Sequence, residues 1–153
     1  MKIPLKKWPI SSILLIMFGT GLLAVGAYFL VLRPPLLPED LRYLGASQAQ
    51  LVAVAPRLAS WLTLVFRVLG GYVSATGILT IALGATSYRS HHSGAGAATV
   101  LAGLISIGLM VGVNFAIGSD FKWALLTLAI LWACSLFAFL EEKLRFEKMS
   151  PAS

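Results

Sequence analysis

The chain has 153 residues, of which 58% are hydrophobic and 12% are charged, and its net charge is +6. Soluble domains carry about 25% charged residues, so this composition excludes an ordinary soluble domain. The basic residues lie at the ends of apolar segments and form no stripe, so we expect no nucleic acid partner. A single cysteine, Cys134, excludes an intramolecular disulfide and a CxxC site.

Four apolar segments fill most of the chain, at residues 10–32, 68–88, 97–117 and 121–140. About 20 apolar residues, at ~1.5 Å each, cross the roughly 30 Å hydrocarbon core of a bilayer. The sequence therefore predicts an all-α membrane protein, a four-transmembrane-helix bundle that forms a single integral membrane domain over residues 1–153. The lipid bilayer is its expected partner.

Residues 34–57, between the first two spans, are too patterned for a slack loop. Pro38 suits the first position of a helix, and Gly45 is a natural helix stop. Ser47 and Gln50 have the spacing of a capping box at the start of a second helix. We expect two short helices on the extracytoplasmic membrane surface, which either plug the end of the bundle or form a recognition surface.

Charged residues near the predicted membrane surface form the candidate polar site. Arg67 follows an apolar run in the second long helix, so we expect it near the interface, paired with a lipid phosphate or a carboxylate. Asp120 is the first candidate partner, with Glu39 and Asp40 next. The predicted polar site consists of Arg33, Arg67 and Asp120, which bind a lipid headgroup or form an ion pair.

Small residues predict where helices approach each other, because helices in lipid associate through close backbone contact. Gly70 and Gly71 in the second span, and Gly108 and Gly112 in the third, are the predicted packing positions. Contact within one bundle and contact with a second subunit, in a homo-oligomer or with other membrane-protein helices, are both open. Asn114 needs a hydrogen-bond partner near mid-helix, and is interpreted as joining helices or, alternatively, as binding a ligand.

Residue patterns typical of catalytic or metal sites are missing. His91 and His92 have no neighbouring cysteine or carboxylate in the sequence, so we expect a solvated turn and no metal site. None of the four spans contains an acid, which proton- or cation-coupled transporters normally need. Nucleophile–base–acid sets, H-E-x-x-H and a P-loop are also missing. We therefore predict no catalytic residues and no cofactor.

Lysine and arginine counts indicate the orientation. Seven lie on the side of the two termini and five on the other side. The side with more basic residues is normally cytoplasmic, and the first helix usually dominates. Lys2, Lys6 and Lys7 precede that helix. Both termini are therefore predicted to be cytoplasmic.

Two segments, residues 32–45 and 67–77, carry a family resemblance. The segment with Gly70 and Gly71 resembles uncharacterised four-helix bacterial inner-membrane proteins akin to the DoxX-like group, and the segment before Gly45 resembles a loop of such proteins. The resemblance implies a four-helix fold in the bacterial inner membrane, and no activity.

The expected function is that of a non-enzymatic membrane protein that acts through helix–helix or lipid contacts, for example as an accessory subunit. One alternative is a lipid- or quinone-handling protein, with a polar head at Arg33, Arg67 and Asp120 and tails between the helices. A small-solute transporter is a further alternative. A hydrophilic cavity reaching Asn114 would favour lipid handling, whereas a closed bundle would favour the first function.

Overall fold

The computed structural model describes residues 8–149, which consist of helices and connecting turns without a strand. Four helices are long and apolar enough to span a membrane, at Ile10–Leu32, Leu58–Ala85, Gly94–Ala116 and Lys122–Phe146. The predicted all-α fold with four such helices is therefore confirmed. Lys2, Lys6 and Lys7, on which the predicted orientation depends, lie outside the described residues.

The helices follow one another with short connections. The first, α1, covers Ile10–Ala27 and continues as one π-helical turn at Tyr28–Leu32. Two short helices, α2 at Pro38–Leu44 and α3 at Gln48–Val54, lead to α4 at Leu58–Ala85. Then α5 at Ser93–Gly103 runs through a π turn at Leu104–Gly108 into α6 at Leu109–Ala116, and α7 covers Lys122–Met149.

The two short helices α2 and α3 form where local signals in the sequence predict them. Arg33 is extended, with ψ 120°, because the following Pro34 disfavours helix in the residue before it. Gly45 ends α2 in the left-handed conformation, with φ 63°. At α3 the Ser47 Oγ accepts a hydrogen bond from the Gln50 N–H at 3.2 Å, and the Gln50 Oε1 accepts one from the Ser47 N–H at 2.8 Å.

The central helix of the bundle is α1. It packs against α4 on one side and α7 on another, and α7 also packs against α5 and α6. Leu15, Phe18 and Leu22 of α1 are at most 2% exposed. Between α7 and α5, the Trp132 indole N–H donates to the Thr99 carbonyl at 3.0 Å. The bundle is thus organised around α1 and α7.

Glycines spaced seven residues apart line the contact between α1 and α4, which we call the glycine seam. A Cβ added at Gly77 would lie 2.7 Å from the carbonyl oxygen of Gly19, and one at Gly70 would lie 2.9 Å from that of Gly26. Gly84 continues the seam towards the start of α1. The two backbones approach so closely because no side chain separates them.

The other predicted packing glycines do not lie at such contacts. A Cβ at Gly71 or Gly112 would meet no atom of the described residues within 4 Å. A Cβ added at Gly108 would have the Gly103 carbonyl oxygen of the same helix as its nearest neighbour, at 3.5 Å. The expected close contact at Gly108 and Gly112 is therefore wrong within this chain, because the buried Ile107 occupies the inward face of this helix. Contact with a second subunit stays a prediction.

Candidate functional site

A cavity of about 540 Å³ lies where α2 meets the ends of α1, α4, α6 and α7, and we call it the cap cavity. Small-molecule sites usually have volumes of roughly 300–1,000 Å³. Most of its wall is apolar, with aliphatic side chains from α1, α6 and α7 and four aromatic rings, from Tyr28, Phe29, Phe66 and Phe121. Its polar lining residues are Arg33, Glu39, Asp40, Asn114 and Ser119.

Arg33 enters the cap cavity with its guanidinium already bound on several sides. It donates to the Asp40 carboxylate at 3.1 Å and to the Pro34 carbonyl at 3.0 Å. The guanidinium also stacks over the Phe66 ring, 3.5 Å from the ring centroid. The π turn positions this side chain, since the Arg33 N–H donates to the Tyr28 carbonyl at 2.8 Å. Arg33 thus joins α2 to the ends of α1 and α4.

Glu39 is a buried carboxylate without a cation. The residue is 2% exposed, and its Oε1 accepts one hydrogen bond, from the Ser119 Oγ at 3.3 Å. The ion pairs within residues 8–149 do not include it. Lone acids are rarely buried this fully, because a carboxylate loses its hydration without compensation. Glu39 is therefore the least satisfied charged group of the cavity.

Asn114 lines the deeper part of the cap cavity. Its side-chain N–H donates to the Met110 carbonyl at 2.8 Å, one turn back in the same helix. Since a carbonyl only accepts, this bond identifies the amide nitrogen and leaves the Asn114 Oδ1 without a donor from the described residues. Within residues 8–149, Asn114 bonds only inside its own helix and does not join two helices.

Arg67 and Asp120, both predicted for the polar site, lie outside the cap cavity. Asp120 pairs with Arg42 at 2.9 Å, and these side chains are 66% and 58% exposed. Arg67 is exposed on α4, and no carboxylate among the described side chains forms an ion pair with it. The expected pairing of Arg67 with Asp120 is therefore wrong, because α2 lies against the α6–α7 loop and brings Arg42 to Asp120.

Sequence reasoning found some of this site and missed the rest. The sequence predicts Glu39 and Asp40 only as possible partners of Arg67, which misses the burial of Glu39. The pattern that marks them is an acidic pair directly after Pro38. Ser119 has no signal in the sequence, because its role depends on the loop that places it beside α2.

The opposite end of the bundle holds a second set of polar contacts. The Tyr88 hydroxyl donates to the Ser135 carbonyl at 2.9 Å, and the Ser135 Oγ donates to the Ser11 carbonyl at 3.2 Å. The Ser11 Oγ donates to the Glu142 carboxylate at 2.5 Å, and the His91 Nε2 lies 3.0 Å from the same group. These contacts fasten the α4–α5 turn to α1 and α7.

The sequence predicts a solvated turn at His91, but the side chain of His91 is largely buried. Its side chain is 12% exposed, and its ring stacks on Phe139 with centroids 5.3 Å apart. The expectation is wrong because α7 continues past residue 140 and brings Glu142 to the histidine. His92 is exposed. Residues 8–149 hold no group of three or more His, Cys, Asp or Glu side chains that could bind a metal ion.

Comparisons with protein-family models, with curated proteins and with solved structures found no match to this chain. The cap cavity is therefore interpreted from its own geometry, and a relationship to the DoxX-like group stays a prediction.

Proposed function

We propose that this integral membrane protein resides in the bacterial inner membrane, with both termini cytoplasmic, and binds an amphiphilic small molecule, of the lipid or quinone type, in the cap cavity. The observation that carries the proposal is the cavity itself, which joins an aromatic and aliphatic chamber to a few polar groups beside α2. Apolar walls with a few placed polar groups are typical of small-molecule sites.

The distribution of polar groups supports an amphiphile over a polar solute. The cap cavity reaches Asn114, but its wall is mostly apolar, so it is not the hydrophilic cavity that the sequence analysis named as the sign of lipid handling. The other polar lining residues of the cavity come from residues 33–40 and from the α6–α7 loop, whereas the wall along α1, α6 and α7 is apolar. A molecule with one polar end and an apolar remainder matches this division better than a solute that is hydrophilic throughout.

The experiment is native mass spectrometry of the protein purified in a gentle detergent, with identification of co-purifying small molecules. Ala24→Trp places a large ring in the cavity wall, and Ala27→Trp makes the same change at an exposed position of α1 outside the cavity. We expect an amphiphile to accompany the wild type and the Ala27 variant and to be lost from the Ala24 variant. Equal loading of all three proteins would reject the proposal.

A second candidate function, that of an accessory subunit or homo-oligomer, is supported by the open surface at Gly112. This glycine is exposed on a helix long enough to span the membrane. A partner helix could approach its backbone closely. Gly112→Leu should reduce the size of the assembly in gentle detergent, whereas Val68→Leu, at an exposed position of α4 without a glycine, should not. A wild-type protein that is monomeric and carries no other subunit would reject this candidate.

A further inference from the structure

The polar end of the cap cavity holds more acidic than basic groups. Two carboxylates, of Glu39 and Asp40, stand against the single guanidinium of Arg33. With all three groups ionised, this end carries one excess negative charge. A site for a phosphate headgroup normally has the opposite balance, with arginine or lysine charges in excess.

Arg33 already has a carboxylate partner. Its guanidinium binds the Asp40 carboxylate and the Pro34 carbonyl, and one face of it covers the Phe66 ring. A phosphate that bound the remaining N–H groups would share this one cation with the Asp40 carboxylate, and the two anions would repel each other. The charge of Arg33 is therefore already balanced by Asp40.

The Glu39 carboxylate is the group to which a ligand would donate a hydrogen bond. It is 2% exposed, and the Ser119 Oγ is its one hydrogen-bond donor among the described residues. A carboxylate can accept several hydrogen bonds, and the interaction is strongest when the donor is itself charged. The Asn114 Oδ1, deeper in the same cavity, also has no donor from the described residues. Both groups call for a donor on the ligand.

We infer that the ligand of the cap cavity is an amphiphile whose polar end is a primary ammonium group bound by Glu39. The inference rests on the proposed function and names the chemical class of its ligand. The aromatic wall of the cavity suits such an amphiphile for two reasons. The rings can pack against an alkyl chain, and their faces attract cations. The ammonium group belongs either to a free long-chain amine or to the headgroup of an aminophospholipid, whose phosphate would have to lie away from the Glu39 and Asp40 carboxylates.

The test compares three probes that share one alkyl chain and differ at the polar end: dodecylamine, dodecanol and dodecyl phosphate. Binding to the purified full-length protein is measured by calorimetry in detergent. We expect dodecylamine to bind at least about tenfold more tightly than dodecyl phosphate, since a charge-assisted bond to a buried carboxylate is worth this much. Glu39→Gln should remove most of this preference and leave dodecanol binding unchanged.

The control is Glu141→Gln, which removes the same charge from an exposed position on α7 outside the cavity. It should bind the three probes as the wild type does. Tighter binding of dodecyl phosphate than of dodecylamine to the wild type would overturn the inference but leave a cavity that binds amphiphiles. Failure of all three probes to bind would reject the proposed function as well. The ranking in the wild type decides the matter even if the Glu39 variant does not fold.

The source of the ammonium group is identified by native mass spectrometry of the purified protein with phosphatidylethanolamine and phosphatidylglycerol at equal concentrations in the same detergent. If the natural ligand is an aminophospholipid, phosphatidylethanolamine should bind in preference to phosphatidylglycerol, and Glu39→Gln should remove the preference. If dodecylamine binds and phosphatidylethanolamine does not, the source is a free amine. Preferential binding of phosphatidylglycerol would contradict an ammonium site.

Discussion

Replacing Gly77 with alanine tests the glycine seam between α1 and α4. The added Cβ would lie 2.7 Å from the Gly19 carbonyl oxygen and 2.8 Å from the backbone nitrogen of Leu23. Both neighbours are backbone atoms, so no rotation of a side chain can relieve the overlap. The two helices must move apart, and the loss should spread to the contacts of α1 along the seam.

The size of the effect follows from two opposing contributions. Overpacking costs ~1–3 kcal/mol. Exchanging glycine for alanine inside a helix stabilises the helix by up to ~1 kcal/mol. We therefore expect Gly77→Ala to lower the free energy of unfolding by about 1–2 kcal/mol. Gly71→Ala is the matched control on the same helix, because its Cβ would meet no described atom within 4 Å. It should be neutral or slightly stabilising.

The assay is reversible unfolding in mixed micelles, in which a denaturing detergent is titrated against a mild one and tryptophan fluorescence is followed. The wild type, Gly77→Ala and Gly71→Ala are measured under identical conditions. Equal stability of the two variants would refute the reasoning, because it would show that α1 and α4 have room for a Cβ atom at Gly77.

Two further predictions concern the charged residues and the orientation. Arg33→Ala should cost on the order of 2–3 kcal/mol, somewhat less than the loss of one partner from a fully buried ion pair. Arg67→Ala should stay within ~0.5 kcal/mol of the wild type, as exposed substitutions usually do. The same unfolding assay checks both, and a larger loss for Arg67→Ala would show that Arg67 has a stabilising partner, as the sequence predicts. Single cysteines at Ser47 and Ser150, in a chain without the native cysteine, should react with an impermeant maleimide from opposite sides of the membrane. Labelling from the same side would contradict the predicted four-span orientation.

The two short helices α2 and α3 show which features can be predicted from local sequence signals. Pro38, Gly45 and Ser47 act through their own backbone conformations or through hydrogen bonds to residues a few positions away. Such signals are complete within the segment that contains them, so the positions of α2 and α3 were predictable. Their docking on the bundle was not, because it depends on the α6–α7 loop and on the end of α1.

The hydropathy of the sequence by itself determined four long apolar helices, because only uninterrupted apolar segments of that length can satisfy both the backbone and the hydrocarbon core. It did not determine which face of each helix turns inward. A helix that is apolar all round carries no amphipathic stripe to mark its inner face, unlike a helix on the surface of a soluble protein. Only the tertiary structure therefore decided that Gly77 meets Gly19, that Gly112 lies open, and that Glu39 is buried beside the cap cavity without an ion pair to any described residue.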